Sequence, residues 1–143
     1  MKKQNKKGFT LIELLVVIAI IGILSTLAVI ALGNARIKSR DAKRVADMRQ
    51  IMSALELYYN DAGLYPTNVT PGQALSFGST TYMAVVPSNP QPSNDNPACD
   101  PSINYLYQNV DSNASYSIAY CLGSAIGDLS AGKHHTTPNG LNN

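Results

Sequence analysis

The sequence has 143 residues, eleven Lys or Arg, nine Asp or Glu, and a formal net charge of +2. This length allows one domain of ordinary size beside a membrane segment. Residues 1–59 hold ten basic and four acidic residues, whereas residues 60–143 hold one basic and five acidic residues. The basic character therefore belongs to the N-terminal part alone, and it does not indicate a nucleic-acid-binding domain.

An apolar segment dominates this N-terminal part. Residues 1–8 contain four lysines, and the chain then runs without a charge from Leu14 to Leu32, over 19 residues. As helix, this segment covers about 28 Å, which matches the hydrocarbon core of a bilayer at ~30 Å. We predict that residues 9–33 form a transmembrane helix. Glu13 stands out at its start, because an acid inside a membrane segment is costly and usually functional.

The motif around this acid is short and specific: Lys6-Lys7-Gly8-Phe9-Thr10-Leu11-Ile12-Glu13. It resembles the processing signal of type IV prepilins and related pseudopilins. The resemblance implies that a prepilin peptidase cleaves between Gly8 and Phe9, removes residues 1–8 as a leader, and methylates the new amino group of Phe9. It also implies that Glu13 pairs with this amine of a neighbouring subunit during assembly. The clear resemblance covers residues 1–65.

Two other interpretations of the N-terminus remain open. An ordinary secretory signal peptide would use the small residues of Ala31-Leu32-Gly33 for cleavage, but the apolar core of such peptides has 7–15 residues. A generic single-pass anchor explains the length of the segment, yet it leaves Glu13 and the Gly8–Phe9 junction without a reason.

Residues 34–63 are predicted to continue the helix as an amphipathic segment. Apolar residues recur at helical spacing and should pack on the C-terminal domain: Val45, Met48, Met52, Leu55 and Tyr59. Charged residues occupy the opposite face, which we expect to be solvated and to contact lipid headgroups: Arg40, Lys43, Asp47 and Arg49. The alternative is that these charges pair between subunits of a filament. Gly63 should end the helix at or near the C′ position.

Residues 64–143 are predicted to form a globular antiparallel β domain with long loops. Strand patterns occur at Thr81–Val86, Ile103–Asn109 and Tyr116–Leu122. The turn residues Asp111-Ser112-Asn113 favour a hairpin between the last two strands. The tail from Gly123 is expected to be loop-like, with short turns only.

Two cysteines, Cys99 and Cys121, lie in this domain. An even number beyond a membrane helix indicates one disulfide, which would tie the proline-rich segment 87–101 to the last predicted strand. Two unpaired buried thiols are the alternative. No metal or cofactor site is expected, because CxxC spacing is absent and His134-His135 is read as part of a solvated tail.

The sequence therefore predicts an α+β fold, in which a long N-terminal α-helix packs on a small antiparallel β-sheet with a single disulfide. No catalytic set of residues emerges, so the chain is not predicted to be an enzyme. We interpret it first as a structural subunit of a type IV pilus. The alternative within this class is the major pseudopilin of a type II secretion system, ranked second because the chain after Tyr82 lacks the Trp-Gly strand typical of that family. From another class, the alternative is a secreted or membrane-anchored binding module with an ordinary signal sequence.

The resemblance also implies partners and a location. The partners are identical subunits in a helical homopolymer, the prepilin peptidase, and an assembly platform with motor ATPases. The precursor would cross the cytoplasmic membrane once before it enters an extracellular filament. A nucleic-acid partner is not indicated, because the tyrosines of the globular part lack neighbouring basic residues.

Overall fold

The computed structural model describes residues 8–93, 95–100 and 104–142. It confirms the predicted α+β class, with one long helix, antiparallel sheets and a single disulfide. The chain divides after Arg36 into two units, residues 1–36 and residues 37–143. The elements in chain order are α1 (Leu11–Ala62), β1 (Leu75–Phe77), β2 (Thr80–Met83), β3 (Leu106–Val110), β4 (Ser115–Leu122), β5 (Gly132–Thr137) and β6 (Gly140–Asn142).

Helix α1 is 52 residues long and ends where the sequence predicts. No proline interrupts it, since the first proline of the chain is Pro66. Gly63 has a φ of +74°, and its N–H donates a hydrogen bond to the carbonyl of Tyr59 at 2.8 Å. This is the left-handed C′ conformation that glycine adopts without steric cost, so the predicted helix stop is confirmed.

The apolar stripe of the second half of α1 lies in the core of unit 37–143, as predicted. Met48 and Leu55 are fully buried, whereas Tyr59 at the edge of the stripe is 37% exposed. From β4, alternate side chains meet this stripe, because successive residues of a strand point to opposite faces. The core residues of β4 are Tyr116, Ile118, Tyr120 and Leu122.

The strands form two antiparallel sheets. β1 pairs with β2, and the larger sheet has the order β3-β4-β5-β6. The predicted hairpin is confirmed as β3-β4, with Tyr107 opposite Ile118, and all three turn residues Asp111-Ser112-Asn113 have positive φ. The second strand was predicted from position 103, which lies outside the described residues, but β3 begins only at Leu106, so the prediction was wrong for Asn104 and Tyr105. Position 101, the end of the proline-rich segment, also lies outside the described residues. The strand predicted at Thr81–Val86 corresponds to β2, which already ends at Met83, so the predicted end was wrong. β1 was not predicted.

The prediction of a loop-like tail after Gly123 was wrong. β5 and β6 extend the sheet beyond β4, and Gly132, His134 and Thr136 alternate towards the interior. These residues are polar or small, so the segment lacks the apolar alternation by which a strand is recognised. Pairing with β4, in which Cys121 lies opposite Lys133, makes the segment a strand despite its composition.

Candidate functional site at the N-terminal motif

The predicted cleavage site lies immediately before α1. Gly8 and Phe9 precede the helix, and Phe9 is 74% exposed. Every residue from Gly8 to Arg36 is exposed to solvent, including the whole apolar segment. Among the described residues, one helix is long and apolar enough to cross a membrane, and it is α1. By itself this criterion is also met by a signal sequence.

Glu13 forms a local hydrogen-bonded structure with Thr10 that the sequence analysis missed. The backbone N–H of Thr10 donates to Glu13 Oε2 at 2.8 Å, and the Thr10 hydroxyl donates to the same oxygen at 2.7 Å. In return, the N–H of Glu13 donates to Thr10 Oγ1 at 3.3 Å. Thr10 is thus the N-cap and Glu13 the third helical residue of a capping box. The spacing Thr-x-x-Glu is the sequence pattern by which this capping box could have been predicted.

The capping box leaves part of the Glu13 carboxylate open. Both donors from Thr10 reach Oε2, and within the described part of the chain no group donates to Oε1. Phe9, Ile12, Val16 and Val17 surround this exposed carboxylate. Glu13 is therefore fixed at the helix start by its own chain and presents one oxygen among apolar side chains.

A second cluster of polar residues, centred on Arg44 in the first part of the amphipathic segment 34–63, was not predicted. The side chain of Arg44 is fully buried. Its Nη1 contacts Asp41 Oδ1 at 2.6 Å and Asp95 Oδ2 at 2.9 Å, and its Nε donates to Asn89 Oδ1 at 2.8 Å. Its Nη2 donates to the carbonyl of Pro92 at 2.8 Å. Arg44 therefore links α1 to the proline-rich segment.

The acids of this cluster are satisfied by several donors. Asp41 also accepts hydrogen bonds from the N–H groups of Gly123 and Ser124, each at 2.8 Å. Gly123 is required there by close packing, since a Cβ would lie 2.4 Å from the Cβ of Asp95 and 2.8 Å from Cγ2 of Ile37. Burial alone would raise the pKa of Asp95, but hydrogen bonds and charge from Arg40 and Arg44 outweigh it and lower that pKa.

The predicted solvated charged face needs a correction. Lys43 and Arg49 are exposed as predicted, but Arg40 forms a hydrogen-bonded ion pair with Asp95. Asp47 is only 6% exposed and accepts a hydrogen bond from the hydroxyl of Tyr105 at 2.8 Å. Burial raises the pKa of Asp47 despite this bond. Asp47 and Arg40 contact residues far along the chain, Tyr105 and Asp95. Helical periodicity within α1 cannot reveal such partners.

The disulfide between Cys99 and Cys121 is confirmed, with 5.7 Å between the two Cα atoms.

The interpretation of His134 as part of a solvated tail was wrong. His134 is 1% exposed, its Nε2 lies 2.7 Å from the carbonyl oxygen of Ser130, and its ring stacks on Tyr120. Among the described residues, no group of three or more His, Cys, Asp or Glu side chains could hold a metal ion.

Comparisons with known proteins point to the same N-terminal segment. Residues 3–29 match the family model described as "Prokaryotic N-terminal methylation motif". The matched range includes the candidate cleavage site, Thr10 and Glu13. No solved structure matches the chain significantly.

Several curated proteins resemble a longer part of the chain. Type II secretion system core protein G of Klebsiella michiganensis is 43% identical over 75 residues, which cover 52% of this chain and 53% of that protein. The protein of the same name from Escherichia coli K12 is 32% identical over 98 residues, covering 61% of this chain and 68% of its own length. Fimbrial protein EcpC of Eikenella corrodens is 41% identical over 91 residues, covering 62% and 58%. The chain thus spans little more than half of the Klebsiella relative.

Proposed function

Because the chain belongs to the type IV pilin-like superfamily, we propose that it is a filament subunit which is cleaved after Gly8 and methylated on Phe9. It would be stored in the cytoplasmic membrane and then polymerise with identical subunits through the first half of α1. The role is structural: no bond is made or broken by the assembled subunit itself. A prepilin peptidase, an assembly platform and motor ATPases would process and move it.

One observation carries this proposal. The apolar residues from Leu14 to Leu32 are all exposed, and they follow directly on Glu13 with its open carboxylate oxygen. Such a surface has to be covered by lipid or by other helices. A plain membrane anchor accounts for the apolar residues but gives no reason for an acid at their start.

The exchange of lipid for neighbouring helices provides the mechanism. Thr10 satisfies one oxygen of Glu13 through the capping box, and we expect this arrangement to be kept in the membrane. In the filament, the amine of Phe9 from an adjacent subunit would approach the open oxygen, where the surrounding apolar side chains strengthen the attraction. Leaving either charge without its partner in this setting would cost ~3–5 kcal/mol. This cost favours the register in which amine and carboxylate meet.

A type II secretion filament is the more specific proposal. Relatives named as core protein G come from several genera, and the Escherichia protein is matched over 68% of its length. From the sequence alone, a type IV pilus ranks first, because the chain after Tyr82 lacks the Trp-Gly strand typical of type II secretion pseudopilins. These relatives do not favour that order. The fimbrial relative, at 41% identity, supports the pilus as the second candidate. A secretion filament would stay in the periplasm, whereas a pilus would be sheared from the cell surface.

Substitution of Glu13 tests the proposal with a matched pair of variants. Glu13→Gln retains an oxygen that can accept the hydrogen bonds of Thr10, but it removes the charge; Glu13→Leu removes both. We expect both variants to insert in the membrane and to be cleaved, since the position is five residues beyond the Gly8–Phe9 bond. Both should lower the yield of filaments at least about tenfold, since an unpaired amine costs ~3–5 kcal/mol.

Intact-mass analysis of the membrane and filament fractions measures processing and assembly together. The wild type should begin at methylated Phe9. A mature chain beginning at Asn34 would show that the N-terminus is an ordinary signal peptide and would exclude the filament. Normal assembly of Glu13→Gln, with loss in Glu13→Leu, would assign Glu13 to helix capping instead of charge pairing.

A further inference from the structure

An open groove runs along the exposed side of α1 in unit 37–143. It is bordered by Arg49, Ser53 and Leu57 of α1 and by Tyr82 and Met83 of β2. Leu57 is 54% exposed, whereas Val45, Met48, Ile51 and Leu55 of the same helical segment are buried. Arg49 lies at one end of the groove and forms no ion pair within the described residues. The groove thus combines the apolar side chains of Leu57 and Met83 with the positive charge of Arg49 at one end.

A surface of complementary character lies on β3, which is an edge strand of the larger sheet. Tyr107 of this strand points into the core, so the alternate residues Leu106 and Val110 face outward. They are 49% and 39% exposed. The exposed Asp111 follows directly, and it forms no ion pair among the described residues. This outer face of β3 therefore combines two exposed aliphatic side chains, with Gln108 between them, and a single negative charge.

The two surfaces are also similar in length. From Arg49 to Leu57 the helix rises by about 12 Å. From Leu106 to Asp111 the strand and the start of its turn extend by about 16 Å. The long, flexible side chain of Arg49 can cover the difference. A second copy can therefore place Leu106 against Leu57 while Asp111 meets Arg49.

We propose that the groove of one subunit binds the outer face of β3 of a second copy of this chain. This inference rests on the proposed filament function and names the contact between globular parts within it. The two surfaces are different, so the contact is heterologous. Each added subunit leaves one groove and one β3 face free, which permits an open-ended polymer and does not close a dimer.

Charge reversal across this contact provides the first test. Arg49→Glu and Asp111→Arg should each lower the filament yield at least about tenfold, because like charges would face each other. The double variant Arg49→Glu with Asp111→Arg restores the attraction, and its yield should return to within about threefold of wild type. Lys43→Glu is the control, since it makes the same charge change on α1 outside the groove. It should assemble normally.

Cysteine pairs provide the second test. A chain carrying both Leu57→Cys and Leu106→Cys should give a ladder of crosslinked multimers on oxidation of purified filaments. Each single variant should give no ladder.

Normal assembly of Arg49→Glu, or failure of the double charge reversal to rescue, would overturn the contact and leave the filament proposal intact. Dimers linked through Leu57→Cys alone would also overturn it, because they would show a symmetric contact. Absence of any filament from the wild type under assembly conditions would count against the proposed function itself.

Discussion

At the scale of single residues, Arg44 shows how a charge can be placed inside a small domain. Its guanidinium group has two carboxylates, an amide oxygen and main-chain carbonyls around it, so its donors are used and its charge is compensated. Asp41 in turn receives N–H groups from Gly123 and Ser124. The cluster joins α1, the proline-rich segment and the chain after β4 at one point.

We expect Arg44→Met to destabilise unit 37–143 by ~3–5 kcal/mol, because Asp41 would be left buried without its cation and Asp95 would keep Arg40 alone. The control is Arg36→Met, which changes the same functional group at an exposed position. Urea unfolding of the full chain in detergent micelles, followed by tyrosine fluorescence, measures the difference. Equal unfolding midpoints for the two variants would contradict a structural role for the cluster.

At the scale of elements, the proline-rich segment is held at two places. Asp95 binds Arg40 and Arg44 of α1, and Cys99 is bonded to Cys121 of β4. Neither attachment requires the segment itself to form a helix or a strand. Together they fix a segment that has neither helix nor strand in its described part, residues 87–93 and 95–100.

Removal of the disulfide should loosen this segment without unfolding the sheet. The bond closes a separation of 22 residues, so replacing both cysteines with Ser should lower the free energy of unfolding by ~2–4 kcal/mol. Chemical denaturation of the double variant, beside oxidised wild type, measures the effect. Wild type treated with reductant should match the variant. Two free thiols detected in native, oxidised wild type would contradict the bond.

At the scale of the whole molecule, tyrosine rings in unit 37–143 connect the segment that follows α1 to the larger sheet. The rings of Tyr65 and Tyr116 are 4.8 Å apart, and those of Tyr107 and Tyr116 are 6.1 Å apart. Burial raises the pKa of Tyr120 to about 12, and burial also raises the pKa values of Tyr65, Tyr105, Tyr107 and Tyr116. The tyrosine hydroxyl protons are therefore bound more tightly in the folded domain than in the unfolded chain.

This difference predicts a loss of stability at alkaline pH. A tyrosine of the unfolded chain titrates near 10, so the stabilisation is complete below pH ~9 and decreases as the pH rises through 10 towards 12. Each buried tyrosine contributes at most ~1.4 kcal/mol per pH unit in this range, and several together should lower the free energy of unfolding by at least ~2 kcal/mol between pH 10 and 11. Urea unfolding between pH 8 and 11.5 tests this.

Tyr120→Phe is the matched control for the pH series. The Tyr120 hydroxyl is buried and has no hydrogen-bond partner among the described residues, so its removal breaks no bond. The variant should equal or exceed wild type in stability at pH 8 and lose less stability above pH 10. A flat stability profile up to pH 11.5 in the wild type would contradict the role of the buried tyrosines.

The sequence by itself determined the features that depend on neighbours along the chain. The apolar run to Leu32 and the stripe through Met48 and Leu55 follow from helical periodicity, which needs no knowledge of the fold. Gly63 and the turn at 111–113 are marked by residues that tolerate positive φ. The Cys99–Cys121 bond followed because the chain offers a single pairing. The capping box of Thr10 and Glu13 is equally local, and the Thr-x-x-Glu spacing was sufficient to predict it.

Only the tertiary structure decided which polar residues are buried. Arg44 and Asp41 resemble any charged pair on a helix surface, and their partners Asn89, Asp95 and Gly123 lie 45 to 82 residues away. A buried polar group is stable only when such partners meet it, so its burial cannot be inferred from its own segment. The same reason applies to β5, where pairing with β4 buries His134 in a strand that lacks an apolar pattern.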